Sequence, residues 1–211
     1  MPWFKSDWMR LVQVLILAGF VSVSGFCFSL GRKRLRRALE VSACGLAVTA
    51  ATCLFMPEER IIFGVLTCIG LCMLLLLPLE KPLGKINPFF GACLFFLLAL
   101  FTYGVRYGYL GLYTWRLIEL PEVLYTVPWL FPLGLRTSSF FSTDYEPLVP
   151  WLFLYISGFF TFRIVQTKEK LHRLCEKGVP LLAKIGCYSL WIYLAHQPVL
   201  YGILWLLFKI I

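Results

Sequence analysis

The sequence predicts an all-α fold, a polytopic transmembrane helix bundle of six spans with a long extracytoplasmic loop between the fourth and the fifth. Three observations carry that prediction. Of the 211 residues, 60% are apolar and only 15% charged, against about 45–50% and 25% in an ordinary soluble domain, so there is too little polar surface to coat a globule in water. Six apolar stretches approach the ~20 residues that a helix needs to cross the hydrocarbon core. The basic residues cluster in alternate connections between those stretches, as the positive-inside rule requires of a multi-pass chain.

The expected spans are 11–30, 39–56, 61–79, 88–105, 148–165 and 185–208, in a single domain 1–211. The first runs from just after Arg10 to the basic run Arg32–Arg37, and its Ala18, Ser22, Gly25 and Ser29 recur at helical spacing as a smooth face for close packing. The second lies between that run and Pro57. The third ends at Glu80 and Lys81. The fourth begins on Pro88, a residue suited to a first helical turn, and ends at Arg106. The fifth follows Glu146 and Pro147, and the sixth contains a helix-kinking Pro198. Continuous apolar runs, in place of alternation, argue against an outer-membrane barrel.

Sorting charge by connection fixes the expected orientation. Arg32, Lys33, Arg34, Arg36, Arg37, Lys81, Lys85, Arg163 and the loop 168–184 place 13 of the 20 Lys and Arg on one side with four acids, while seven bases and seven acids fall on the other. The whole net charge of +9 therefore belongs to the cytoplasmic face of a cell (inner or plasma) membrane, and no nucleic-acid partner is needed to explain it. This arrangement puts Met1 outside without a signal peptide, so a further span upstream of the chain is expected. The eight cysteines avoid the external connections, where an oxidising environment would favour disulfides. Cys68 and Cys72 share a helix face but have no His or acid beside them in sequence, so packed thiols are expected and no metal site.

Candidate chemistry concentrates in four places. The connection Arg106–Pro147 is about 42 residues, far beyond the few-residue links of packed elements, and its aromatic and proline content indicates a folded lid or a partly embedded cap. Asp144, among hydroxyls and aromatics just before the fifth span, either acts as a base or orients one, or caps the start of that span. His196 falls about ten residues into the sixth span, and an ionisable group at that depth is either functional or a neutral imidazole bonded to a neighbouring helix. His172, in a basic loop, is expected to be solvated. The run Arg32–Arg37 serves retention on the cytoplasmic side with anionic lipid, or holds a phosphate-bearing ligand.

Four blocks then carry a resemblance. Phe20–Gly25 followed by the basic run, Ile61–Gly70, Ser142–Trp151 and Ile185–Val199 together resemble the bacterial relatives of heparan-alpha-glucosaminide N-acetyltransferase, in that family's order and over nearly the whole chain. The resemblance implies a membrane acyltransferase that takes acetyl-CoA from the cytosol and acetylates a sugar amine or hydroxyl on the far side. It assigns catalytic roles to Asp144 and His196 and a role in meeting CoA phosphates to Arg32, Lys33, Arg34, Arg36 and Arg37. Departures stand at Thr67, where the family often has His, at Cys187–Tyr188, where it often has Arg-His, and in the missing opening helix with its later histidine. A non-catalytic relative or partner-binding subunit is the alternative. The expected partners are the bilayer and a glycan acceptor, with a second copy of the chain left open. A transporter is disfavoured, because no inverted repeat relates the two halves.

Overall fold

The computed structural model describes residues 7–112, 115–169, 186 and 188–210. The chain forms two units, Met1–Thr167 and Lys168–Ile211. In the first unit α1 (Asp7–Cys27) ends in a 3-10 turn, Phe28–Leu30, and α2 (Arg34–Phe55) and α3 (Val65–Leu83) follow. Next come α4 (Pro88–Thr102), a two-stranded antiparallel hairpin of β1 (Tyr109–Leu112) and β2 (Trp115–Glu119), two 3-10 turns, Glu122–Tyr125 and Pro128–Leu133, and α5 (Leu148–Thr167). The second unit carries α6 (Ser189–Ile210). Loop 168–184 beyond Glu169, with His172 and Cys175, lies outside the described residues, as does Cys187.

The protein is an all-α polytopic membrane protein. Five helices among the described residues are long and apolar enough to cross a bilayer: Asp7–Leu30, Arg34–Phe55, Val65–Leu83, Pro88–Tyr107 and Leu148–Thr167. Large apolar side chains such as Ile16, Phe20, Phe55, Phe89 and Leu97 cover their outer faces. Two boundaries differ from the hydropathy pattern. α2 begins at Arg34 and not near residue 39, because the basic turn is helical although it is not apolar. α3 begins at Val65 and not at residue 61, because Arg60–Phe63 pair with a distant segment instead of joining the helix.

The helices pack as antiparallel neighbours, with Gly45 of α2 facing Thr67 of α3 and Gly70 facing Ser42. Between α4 and α5, Ser157 donates to the Ala92 carbonyl (3.0 Å) and the Phe95 and Phe160 rings stack at 5.7 Å. Contact between α1 and α5 is closest at two glycines, since a Cβ on Gly25 would sit 2.0 Å from the Tyr155 carbonyl oxygen and one on Gly158 would sit 2.2 Å from the Ser22 carbonyl oxygen. Small residues let helix backbones meet in this way, and dispersion then holds the pair where lipid supplies little hydrophobic drive. Val21, Leu76, Cys72, Tyr155 and Phe160 are buried to within 1% in the resulting core.

One end of this unit is basic and stitched by arginines. Arg34 meets Glu80 at 2.5 Å and donates to the Ser29 and Gly31 carbonyls, both at 3.2 Å. Arg163 of α5 donates to the carbonyls of Leu83 (3.1 Å), Gly84 (2.7 Å) and Ile86 (3.2 Å), at and just beyond the C-terminus of α3. Arg163→Met is expected to cost about 2 kcal/mol, because three charge-assisted bonds to carbonyls disappear. Thermal unfolding in detergent should show a fall of roughly 4–8 °C, and an unchanged midpoint would mean that water replaces the guanidinium without loss.

Candidate functional site

At the opposite end the long connection is folded onto the bundle. Residues 141–146 run beside the α2–α3 link. Thr143 N–H donates to the Arg60 carbonyl (3.1 Å), Glu146 N–H to the Phe63 carbonyl (3.1 Å), and the Ser142 hydroxyl both accepts from Ile62 N–H (2.9 Å) and donates to its carbonyl (3.0 Å). Arg60 Nε donates to the Phe141 carbonyl at 3.2 Å and Thr143 Oγ1 to Glu59 Oε2 at 3.0 Å. Phe63 takes a left-handed φ of 62° in this link, which turns the chain from the ladder into α3.

That ladder delivers Asp144 to the start of α3. Its carboxylate accepts the Val65 N–H, one of the open donors of the first turn. Gly64 leaves room for it, since a Cβ there would stand 3.3 Å from Asp144 Oδ2. Asp144 thus caps a helix, but the helix is α3 and not the fifth span that it precedes in sequence. Burial raises its pKa above the usual carboxylate value, and the Val65 N–H opposes the rise.

Glu146, two residues on, sits differently. Trp151 Nε1 donates to Oε2 at 2.8 Å and an Arg106 nitrogen lies 3.9 Å from the same oxygen. Burial pushes the Glu146 pKa up to about 7, with Arg106 and Trp151 lowering it and Asp144 raising it. Desolvation wins because the ion pair is loose and the side chain is only 18% exposed. Arg106 itself leans over the Tyr107 ring (5.4 Å) and the Tyr145 ring (6.0 Å), and its Nε is buried without a hydrogen-bond partner among the described residues. Tyr145 donates to the Phe131 carbonyl and burial holds its phenol up at about 12. Below Glu146, the Cys68 thiol points to the Pro147 carbonyl at 3.7 Å.

This end therefore carries a carboxyl poised near neutrality beside a cation with unused donors, which is the arrangement general-base chemistry requires. The sequence pointed to Asp144 and undervalued Glu146, Arg106 and Trp151. A signal for them exists: Glu146 precedes a helix start, so Trp151, five residues on, can reach back to it, and Arg106 ends the neighbouring span on the same side.

The other expected residues are placed as follows. His196 lies on α6, in the second unit, with Nδ1 bonded to the Tyr193 carbonyl one turn earlier and the two rings 5.1 Å apart. Asp144 and His196 thus belong to different units. At the basic end an open cleft of about 740 Å³ is lined by residues 29–36. Arg34 is committed to Glu80 and Arg36 pairs with Glu40 at 2.7 Å, while no ion pair among the described residues occupies Arg32, Lys33 or Arg37. Among the described residues no three His, Cys, Asp or Glu side chains gather as a metal site. Thr67 packs at the α2–α3 contact, its Oγ1 2.6 Å from where a Gly45 Cβ would be.

No curated protein and no solved structure matches the chain. The family model described as heparan-alpha-glucosaminide N-acetyltransferase, catalytic, matches residues 1–198. A match over nearly the whole chain, on a helical membrane scaffold that folds the Ser142–Trp151 block into one site, makes this protein a member of the heparan-alpha-glucosaminide N-acetyltransferase catalytic family and a membrane acyltransferase-like protein.

Proposed function

We propose that the chain transfers acetyl from acetyl-CoA at the basic, cytosolic end to a sugar amine or hydroxyl at the loop end, outside the cytosol. The observation that carries this reading is Glu146, a buried carboxyl with a pKa of about 7 in the block that the family resemblance marks. It accepts the acceptor's proton as the nitrogen or oxygen attacks the thioester carbonyl. Arg106, 3.9 Å from it, offsets the negative charge that passes to the carbonyl oxygen, and the C–S bond then breaks, the CoA thiolate leaving with the proton that Glu146 took up. Asp144 holds the start of α3 and so positions Glu146. His196, in the second unit, stays a candidate catalytic imidazole by the family resemblance. The cleft suits a CoA head because it is open and lined by Arg32 and Lys33, which no acid occupies among the described residues.

The test is acetyl-CoA binding and transfer of labelled acetyl to amino sugars by the chain in nanodiscs. Changing Arg32 and Lys33 together to Ala is expected to raise KM for acetyl-CoA about tenfold with kcat little changed, since only phosphate contacts are lost. A wild-type chain that neither binds acetyl-CoA nor transfers acetyl would sink the reading. A second reading, a non-catalytic member of the family, is supported by Thr67, which serves helix packing where relatives often carry a histidine.

A further inference from the structure

Between the two ends a set of polar side chains meets inside the bundle, apart from both the cleft and the Glu146 cluster. Tyr155, eight residues into α5, is 0% exposed. Its hydroxyl faces Ser24 of α1 and has Cys27, Cys72 of α3 and the Arg37 guanidinium of α2 within electrostatic range, yet it makes no hydrogen bond of good geometry. Side chains of α1, α2 and α3 thus converge on an α5 hydroxyl with no satisfied partner among the described residues, in a core that is otherwise largely apolar. Polar groups at membrane depth are costly and are retained where something binds, and a buried hydroxyl left open calls for an explanation of its own.

The cluster lies on the line between the two proposed ends. Phe28, 2% exposed, packs edge-on against Tyr155 at 6.3 Å and lies beneath Arg34 at 5.4 Å, and the next residue, Ser29, lines the cleft. Phe28 therefore lies between Arg34, which lines the cleft, and Tyr155. On the other side Cys72 bonds Cys68, which is within electrostatic range of Glu146. From Glu80 at the basic end to Cys68 is twelve residues of α3, or about 18 Å at 1.5 Å per residue. The arm of CoA from its pyrophosphate to an acyl carbon is about fourteen bonds, roughly 16 Å when extended as polypeptide backbone extends. The two lengths differ by only about 2 Å, so phosphates held at the cleft put the arm's two amides in the middle of the bundle.

Building on the acyl-CoA reading, we infer that the Tyr155 hydroxyl, with Ser24, Cys27 and Cys72 around it, is a mid-bundle subsite that donates a hydrogen bond to an amide carbonyl of the pantetheine arm, entered past Phe28. The Tyr155 hydroxyl offers an amide of the arm compensation for lost water at this depth. Arg37 lies within electrostatic range of the hydroxyl, and a guanidinium nitrogen is 3.8 Å from where a Cβ on Gly31, a cleft residue, would stand.

The experiment compares binding of CoA with that of adenosine 3′,5′-bisphosphate, which has the phosphates but no arm, to the full chain in nanodiscs. Tyr155→Phe is expected to weaken CoA about five- to tenfold, the worth of one hydrogen bond, and to leave the bisphosphate unchanged. The ligand-free midpoint of thermal unfolding should stay level or rise, because the variant deletes an unpaired hydroxyl. An unchanged CoA-to-bisphosphate ratio overturns the subsite while the acyl-CoA reading stands. So does a lower ligand-free midpoint reproduced by Ser24→Ala with no change in that ratio, since the hydroxyl would then serve a structural bond. If the wild-type chain binds neither ligand, both the reading and the subsite fall.

Discussion

Glu146→Gln is expected to cut acetyl transfer by about 10²–10⁴, the contribution of a positioned general base, and at the same time to stabilise the protein above neutral pH. The two effects have one cause. Burial raises the Glu146 carboxyl from 4.5 to about 7 against the pull of Arg106 and Trp151. Because the folded-state pKa lies above the unfolded one, the folded state holds the proton more tightly. Below pH 4.5 both states are protonated and the contribution to stability is fully present. Between pH 4.5 and about 7 the unfolded chain ionises first, so stability falls as pH rises, and it levels off above about 7. The full loss is at most about 3 kcal/mol and less where water reaches the side chain. Transfer runs the other way, rising with pH to a plateau above about 7 as the base ionises. Gln keeps the Trp151 bond and cannot ionise, so it should flatten both profiles. A variant that transfers at the wild-type rate at pH 8 would remove Glu146 from the chemistry, and an unflattened stability profile would remove it from the linkage.

Gly158→Val is expected to prevent the bundle from assembling. At that position a Cβ would stand 2.2 Å from the Ser22 carbonyl oxygen and 3.1 Å from the Phe26 nitrogen, and at Gly25 it would stand 2.0 Å from the Tyr155 carbonyl oxygen. Each clash is with backbone, which cannot rotate away as a side chain can, so relief requires α1 and α5 to separate. The loss exceeds the ~1–3 kcal/mol of ordinary overpacking, since it uncouples Val21 and Phe28 from Tyr155 and Phe159. Size-exclusion profiles in mild detergent should show aggregate for Gly158→Val and a strongly lowered midpoint for Gly158→Ala. Gly19 on the same helix has nothing within 4 Å of its Cβ position, so Gly19→Ala should be neutral or stabilising by about 0.5–1 kcal/mol. If Gly158→Ala and Gly19→Ala behave alike, the α1–α5 contact is not as close as described.

The sequence pattern was enough for everything that depends on local composition. Apolar runs placed α1 to α5 to within a few residues, because a bilayer demands a fixed length of apolar helix whatever the neighbours are. The basic run after the first span announced one end of the bundle, and four blocks of residues named the family. Its errors of boundary, at Arg34 and at Val65, occur where helix and apolar segment are different things: a charged turn can be helical, and an apolar segment can pair with a loop.

The roles of individual residues depended on contacts between positions far apart in the chain. Asp144 read equally well as a base or as a cap for the helix it precedes; the ladder to Arg60–Phe63, some 80 residues earlier, gives it to α3 instead. Glu146 stood in the sequence only as the boundary of the fifth span; in the fold Trp151 and Arg106 close over it, and its near-neutral pKa exists because that enclosure removes water. Arg32–Arg37 read as one basic run, and the fold divides it into a structural Arg34 on Glu80, an exposed Arg36–Glu40 pair and three cations free of ion pairs among the described residues. Hydropathy is a property of each residue and its near neighbours, so the sequence by itself determined that the chain is a bundle of membrane helices. Desolvation, capping and convergence are properties of which helices touch, so only the tertiary structure decided where a proton can be held.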